Sequence, residues 1–214
     1  MFYLHPHKFK TQTVSAAQLL KSYESGKKDF RKVNLTRTAL VDVDLSGIKL
    51  WRANLTEANL GRSILRKANL NESNFFGANL WRTDLHSASL NRASLSYALL
   101  IRANLQQANL DKAFLNDADL RLAYLQGANL EGADLRGANL SYADLQFANL
   151  KGANLDGAIL TGANLSQVNF SNTNLNGALI EQPSLSNVTF PPQKANNIKL
   201  TGKQRNASRT FRKS

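Results

Sequence analysis

Large apolar residues recur at every fifth position along most of this chain. From residue 30 to residue 190 there are 33 such positions, and 28 are Leu; the others are Phe30, Phe75, Phe170, Ile180 and Phe190. The residue two places earlier is Ala at all but three of the 23 positions from 53 to 163, the exceptions being Ser63, Ser73 and Thr83. The repeated unit is therefore a small residue, usually Asn or Asp, then Leu, then two variable residues, and it is plainest between residues 128 and 165.

A period of five fits neither an α-helix nor a simple strand, and a helical path would spread the Leu residues around the whole circumference. A coil that turns a corner after each pentad instead keeps every Leu and Ala on the axis and places the variable pair at the corner. Four corners close a square of about 20 residues, and parallel coils about 4.8 Å apart would hydrogen-bond like strands. The pattern thus predicts about eight coils in a rod roughly 40 Å long between residues 30 and 190.

The other residue types follow from this geometry. Ala suits the interior because a second large side chain would overpack so narrow a coil. The Asn/Asp position suits a short polar side chain that bonds the local backbone and stacks on its equivalent in the next coil, and we interpret this ladder as structural; its members include Asn129, Asp134, Asn139, Asp144, Asn149 and Asn154. Six pentads carry an apolar residue there, which marks either a partner patch or a ladder filled by packing; we favour packing at Ile64, Leu99, Phe114, Tyr124, Ile159 and Leu179.

The repeated A(D/N)LxX unit resembles the pentapeptide-repeat family over about three quarters of the chain. The resemblance implies an all-β solenoid, a right-handed quadrilateral parallel β-helix, in a family whose members are mostly non-enzymatic and act by binding proteins. Some members mimic DNA with a strongly acidic face and bind gyrase, a pattern from which the near-neutral repeat body of this chain departs. The layout also resembles cyanobacterial members, one of which inhibits heterocyst differentiation, and this implies a regulatory role.

The two ends of the chain differ from the repeat. Within residues 1–28, Ser15 and Gln18 form a capping-box pattern and Gly26 a stop signal, so we expect a short N-terminal α-helical cap over the first coil. The β-helix is predicted over residues 29–192, because the prolines at 191 and 192 lack the donors that further pairing needs. Residues 193–214 are polar and basic, and we expect them to be disordered.

The net charge of +12 lies mostly outside the repeat. Residues 1–28 hold five basic residues and one acidic residue, and residues 182–214 hold seven basic residues and no acidic one. The body, 29–181, holds 15 basic and 14 acidic residues. An alternative function is therefore nucleic-acid or anionic-surface binding by the tail, through Lys194, Lys199, Lys203, Arg205, Arg209, Arg212 and Lys213.

Catalytic and cofactor chemistry finds little support in the composition. There is no Cys, and His86 is the only His of the repeat body. His5 and His7 lack a third ligand nearby, so we expect no metal site there. We predict a protein with no cofactor and no enzymatic activity. The N-terminal segment lacks the apolar run of a signal peptide and no later stretch is long enough to span a bilayer, so we expect a cytoplasmic protein without a membrane span.

The variable pairs of the first half carry the most distinctive side chains. At a spacing of 20 residues, Arg62, Arg82 and Arg102 fall in one column beside Trp81 and Ile101. Exposed Trp and Arg are typical of protein-binding hot spots, although a purely structural surface is an equally good interpretation. We predict an unknown protein partner for a face between residues 51 and 122 that also includes Trp51, Arg121 and Leu122. The second half has many Gly corners, so we expect a plain surface there, with few side chains for recognition. We also expect the rod to be a monomer or an end-to-end dimer.

Overall fold

The computed structural model describes residues 12–181 and 199–201 of the chain. Its named elements are helix α1 (Ala16–Glu24) and strands β1 (Ile159–Leu160), β2 (Leu179–Glu181) and β3 (Lys199–Thr201). The strands form one parallel sheet in the order β1-β2-β3. His5, His7 and the predicted tail residues other than Lys199 lie outside the described residues.

The rod is a β-helical solenoid that repeats every 20 residues. Asn34 pairs in parallel with Asn54, and Asn54 with Asn74; the same register continues along the rod as isolated bridges and then as β1 to β3. Each pentad ends in a tight turn, as where the Ala53 amide donates to the carbonyl oxygen of Leu50 at 2.9 Å. Four such turns make one coil, as the period predicted. The right-handed sense and the number of coils remain predictions.

The core is a column of Leu flanked by Ala. Nearly every Leu and Ala at the repeat positions is at most 1% exposed, and Phe75 and Phe170 are fully buried in the same core. The hydroxyl-bearing residues that replace Ala are also satisfied, since the Thr83 hydroxyl donates to the carbonyl oxygen of Leu60 at 2.7 Å. Apolar burial along the axis therefore stabilises each coil mainly through its neighbours.

The Asn/Asp ladder is structural, as predicted. Asn79 Oδ1 accepts from the amide of Trp81 at 3.0 Å, and its Nδ2 donates to Oδ1 of Asn59 in the preceding coil at 3.0 Å. The same contact recurs between Asn149 and Asn129 at 3.1 Å. One side chain thus satisfies a turn and joins two coils.

Helix α1 closes the N-terminal end. Ser15 and Gln18 form the expected capping box, and Leu19 is fully buried against the core. The Tyr23 hydroxyl donates to the carbonyl oxygen of Ser46 at 2.8 Å, which ties the helix to the first coils. The predicted capping role of the helix is therefore visible in its contacts.

The corners place their second variable residue in the left-handed backbone region. Gly127 has a φ of 64°, as expected for a bare corner, but bulky residues such as Leu122 (58°) and Tyr142 (59°) adopt the same conformation. A side chain at positive φ costs of order 1 kcal/mol relative to glycine. The fold therefore tolerates large corner side chains but gains nothing from them locally.

Replacing Lys67 with Gly is expected to give a protein about 1 kcal/mol more stable than replacing it with Ala. Lys67 is exposed, with a φ of 54°, so either change removes the same side chain and only Gly relieves the backbone. Urea unfolding followed by circular dichroism would measure the difference. Equal stabilities of the two variants would show that the corner carries no strain.

Strand β3 corrects one expectation about the tail. It pairs in parallel with β2, with Ile180 opposite Leu200, so the 20-residue register continues past the predicted boundary at residue 192. The expected disorder is therefore wrong for Lys199–Thr201. Leu200 falls on the five-residue phase counted from Phe30, which is the signal that the degraded composition of this stretch concealed.

Candidate protein-binding surface

The predicted arginine column forms one corner of the rod, here called the Trp81 corner; it comprises the variable pairs 41/42, 61/62, 81/82, 101/102, 121/122 and 141/142. Backbone bonds fix the stacking, since the amide of Arg62 donates to the Trp81 carbonyl oxygen at 2.8 Å and that of Arg82 to the Ile101 carbonyl oxygen at 3.0 Å. The side chains of Arg62, Arg82 and Arg102 therefore leave the rod from successive coils.

The three arginines are not equivalent. The guanidinium of Arg62 forms an ion pair with Asp42 of the preceding coil. Arg82 places its Cζ 5.2 Å from the centre of the Trp81 ring, and Trp81 is 36% exposed. Arg102 has no ion pair with any carboxylate of the described residues. The corner therefore presents two cations beside an exposed indole.

The surface extends across one flat side of the rod, which sequence reasoning did not predict. This side, the Leu99 face, holds residues 79, 99 and 119 and ends at the Tyr97 corner, which holds 76/77, 96/97 and 116/117. Leu99, Phe76 and Tyr97 are each about half exposed. The rings of Phe76 and Tyr97 touch, with centroids 5.4 Å apart and tilted by 59°. The Asp117 carboxylate accepts from the Tyr97 hydroxyl and raises the pKa of Tyr97.

Together these side chains expose an apolar area that needs an explanation. Five large residues are between about one third and one half exposed, and three of them are aromatic; they are Phe76, Trp81, Tyr97, Leu99 and Leu122. Together they present on the order of 500 Å² of solvent-accessible surface. That area is at the upper end of the largest patch on a typical monomer, and such patches usually have a function. We call this set, with Arg82, Ile101 and Arg102, the Leu99 surface.

The apolar ladder positions divide into two groups. Ile64, Ile159 and Leu179 are partly buried, in keeping with packing. Leu99, Phe114 and Tyr124 are 46%, 50% and 49% exposed. The expectation that packing explains these positions is therefore wrong for the second group, two of which lie on other sides of the rod.

Trp51 does not belong to the Leu99 surface. It lies two turns away along the coil from the column of Arg62, on the corner formed by 51/52, 71/72, 91/92 and 111/112. Its ring is engaged locally, with Arg52 Cζ 4.3 Å from the ring centre and its Nε1 3.4 Å from a Glu72 carboxylate oxygen. The sequence prediction of one face containing both tryptophans is therefore wrong.

Arg121 and Leu122 do lie on the Trp81 corner, but Arg121 is neutralised. Its guanidinium pairs with Asp119 at 2.7 Å and the pKa of Arg121 is raised by that hydrogen-bonded carboxylate. Leu122 is 39% exposed and extends the apolar surface by one coil. Arg121 therefore frames the surface without adding uncompensated charge.

The second half is less plain than the sequence predicted. Tyr142 is 64% exposed and Phe147 is 56% exposed, and both occupy left-handed corner positions. The Tyr142 ring lies over Gly162, where an added Cβ would come within 2.5 Å of it. An aromatic residue at a position otherwise held by Gly was the available signal, and a count of Gly corners alone missed it.

Comparison with known proteins assigns the chain to a family. Residues 53–92, 88–125, 118–157 and 148–182 match a sequence model of pentapeptide repeats, with eight copies. The chain belongs to the pentapeptide-repeat family. No curated protein matches it.

Three solved structures show the range of similar proteins. HetL from the cyanobacterium Nostoc sp. strain PCC 7120, a pentapeptide-repeat protein involved in heterocyst differentiation regulation, is 33% identical over 81% of this chain and 83% of its own, with a TM-score of 0.40. A trypsin-treated variant of QnrB1, a plasmid-mediated fluoroquinolone resistance protein, is 20% identical over 74% and 82%, with a TM-score of 0.52, and shares the fold. Rfr23 from the cyanobacterium Cyanothece 51142 is 27% identical over 74% and 95%, with a TM-score of 0.30.

The described part of this pentapeptide-repeat protein offers no metal site and no membrane helix. No group of three His, Cys, Asp or Glu residues there is placed to hold a metal ion. The helix within the described ranges is also too short and too polar to cross a bilayer.

Acidification is expected to destabilise this pentapeptide-repeat rod. Hydrogen bonds from arginine lower the pKa of Asp42, Glu57 and Asp134. A carboxylate whose pKa is lower in the folded state stabilises the fold above its unfolded pKa of about 4, and the contribution is lost as the pH falls through the lowered value. Urea midpoints should therefore be flat from about pH 5 to 8 and fall below about pH 4, less steeply in high salt. A midpoint that rises on acidification would contradict this.

Proposed function

We propose that this chain is a non-catalytic scaffold that binds a protein partner through the Leu99 surface. The observation that carries the proposal is the set of exposed apolar side chains on the Leu99 face and its two corners, beside two arginines, Arg82 and Arg102, that no carboxylate of the described residues pairs with. The area, on the order of 500 Å² before any polar rim is added, approaches the roughly 800 Å² that each partner contributes to a standard interface. Trp, Tyr and Arg are the residue types enriched at the centre of such interfaces.

The rigidity of the rod supports this use. Most of the described turns are bonded within their pentad and to the neighbouring coil, as at Leu100, whose carbonyl oxygen accepts from the Ala103 amide at 2.9 Å and whose amide donates to the Asp119 carbonyl oxygen at 2.8 Å. Side chains on such a frame lose little backbone freedom when a partner binds, which favours affinity. A preformed surface should therefore bind without reorganising the coil.

A regulatory role is part of the proposal. HetL, which is similar to this chain along most of its length, is described as involved in heterocyst differentiation regulation. A non-catalytic scaffold regulates by occupying or presenting a partner. The comparison names no partner for this chain, and the two sequences differ at two thirds of the aligned positions.

Quantitative affinity capture from the source cells would test the proposal. The bait proteins would be the natural chain, a variant in which Leu99 and Ile101 are both changed to Ser, and a control in which two residues of the opposite corner, the partly buried Asn71 and the exposed Lys112, are changed to Ser. We expect a partner that the control retains and the surface variant loses. Capture of the same proteins by all three baits would overturn the assignment of this surface.

Binding by the basic tail remains the alternative prediction. Six of its seven basic residues lie outside the described residues, and for Lys199 only the backbone is described. Deletion of residues 202–214 removes five of the seven basic residues and would separate the two functions. Tail-dependent nucleic-acid binding should decline steeply with salt in the full chain and should be much weaker after the deletion. Capture through the Leu99 surface should survive the deletion.

A further inference from the structure

Most arginines of the described rod are held by its own carboxylates. The pairs join Arg31 to Asp29, Arg37 to Glu57, Arg52 to Glu72, Arg62 to Asp42, Arg66 to Asp84, Arg121 to Asp119 and Arg136 to Asp134. Arg92 forms no ion pair within the described residues, but it adds to the lowering of the pKa of Glu72, which is due first to Arg52. Arg82 and Arg102 have no such carboxylate among the residues that the structure describes.

These two cations lie next to each other and next to the exposed apolar side chains. Arg82 and Arg102 occupy the same corner position in successive coils, about 4.8 Å apart along the rod. Like charges at that separation repel by on the order of 1 kcal/mol in water, so the fold gains nothing from the stack. Carboxylates supplied by a partner would relieve the repulsion, and the Leu99 face would supply the apolar contact beside them.

The spacing of the arginines indicates what kind of partner segment fits. Carboxylates one turn apart on an α-helix lie about 5–6 Å apart, close to the coil spacing of about 4.8 Å. Alternate residues on one face of a strand lie about 6.7 Å apart and fall out of step with the coils more quickly. A helix also carries an apolar row directly beside an acidic row, as the Leu99 face lies directly beside the arginines.

We propose that the occupant of the Leu99 surface is an acidic amphipathic α-helix of a partner protein that lies along the rod. Two of its carboxylates, one turn apart, bind Arg82 and Arg102, while its apolar row packs on Leu99, Ile101 and Trp81. Three turns of helix, about 16 Å, match the three coils over which the surface extends, about 14 Å. This inference rests on the proposed function and adds the chemistry of the partner.

Binding of defined peptides to the full-length protein would test the inference. The first peptide is a side-chain-stapled 15-residue helix with two Glu one turn apart beside a row of Leu, and the second has Lys in place of both Glu. NMR titration of the Arg Nε–H and Trp Nε1–H signals would report affinity and site. We expect saturable shifts at Arg82, Arg102 and Trp81 with the Glu peptide, and at least tenfold weaker binding of the Lys peptide.

Charge reversal of the protein supplies the matched control. The variant R82E/R102E should prefer the Lys peptide to the Glu peptide. The variant K67E/R92E changes the net charge equally, at the same left-handed corner position on two other corners, and should keep the preference of the natural chain. All four substitutions are at exposed sites, and circular dichroism would confirm that both variants fold.

The inference is overturned if the Glu peptide does not bind saturably, if both peptides bind equally, or if both variants lose the preference alike. Failure of the proposed function would be seen separately, because the affinity capture with the Leu99 and Ile101 variant uses no peptide. A partner that is lost with that variant, but that contacts the rod through a strand or a basic segment, would leave the proposed function standing and reject the acidic helix.

Discussion

Replacing Leu140 with Ala is expected to lower the free energy of unfolding by about 2–5 kcal/mol. Leu140 is fully buried in the axial column, where its neighbours one coil before and after, Leu120 and Leu160, are held by the coil and cannot close the gap. Interior atoms are close-packed, so removing the methyl groups creates a cavity. It also removes the favourable free energy of transferring those groups from water to the core. Urea unfolding followed by circular dichroism would give the change.

A volume-conserving control separates the cavity from the change of residue. Leu140→Met should cost less than about 1.5 kcal/mol, because the thioether chain fills most of the same space. If Leu140→Ala costs no more than Leu140→Met, the axial column is not the main source of stability. Each coil contacts chiefly its neighbours, so local loosening around residue 140 should also appear in hydrogen exchange.

The second large effect concerns binding. Changing Trp81 to Ala is expected to weaken binding of the captured partner by about 30-fold or more, as for a hot-spot residue at the centre of an interface. The same change should alter the unfolding free energy by no more than about 0.5–1 kcal/mol, since the side chain is more than one third exposed. Isothermal titration calorimetry with the purified partner would measure the affinity.

Trp51→Ala is the matched control for this prediction. It removes the same side chain from the opposite corner, where the ring interacts with the rod's own Lys32, Arg52 and Glu72. We expect its effect on affinity to be less than about twofold, as for residues outside the interface centre. Comparable losses from both tryptophans would argue for a partner that surrounds the rod.

The five-residue period was enough to predict most of the fold. Because each pentad has the same residue pattern, the register of the ladder and the burial of Leu and Ala follow from composition and spacing. The position of α1 follows separately from the capping box of Ser15 and Gln18. The hand of the coil does not follow, since a square path closes equally well in either sense. The extent of the rod was missed at Leu200, where the phase persists but the surrounding residues no longer look like the repeat.

The candidate site was predicted in part, for reasons that particular residues make clear. Arithmetic at a spacing of 20 residues placed Arg62, Arg82 and Arg102 in one column, and the same arithmetic would have separated Trp51 from Trp81. The ion pairs were harder to predict from the sequence, because the neutralisation of Arg62 depends on the rotamer with which its side chain reaches Asp42. The exposure of Leu99 was harder still to predict, since Leu99 occupies the ladder position, which the repeat normally fills with a structural Asn or Asp.

These differences suggest where specificity lies in a regular solenoid. The fold uses the small residue, the ladder residue and Leu of each pentad, so recognition must come from the variable pair or from a ladder position released from its role. Tyr97 and Leu122 take up left-handed corners at a local cost, and Leu99 gives up a ladder bond. Side chains that are unfavourable for the fold and exposed to solvent are those most readily explained by a partner.

Site-specific photo-crosslinking would test the central claim most directly. Benzoylphenylalanine would be placed at position 99 or 101 on the Leu99 surface, and at position 71 or 112 on the opposite corner, in the otherwise natural chain. We expect the captured partner to crosslink from positions 99 and 101 and not from 71 or 112. Crosslinking from 71 and 112 alone, or with equal yield from all four positions, would contradict it.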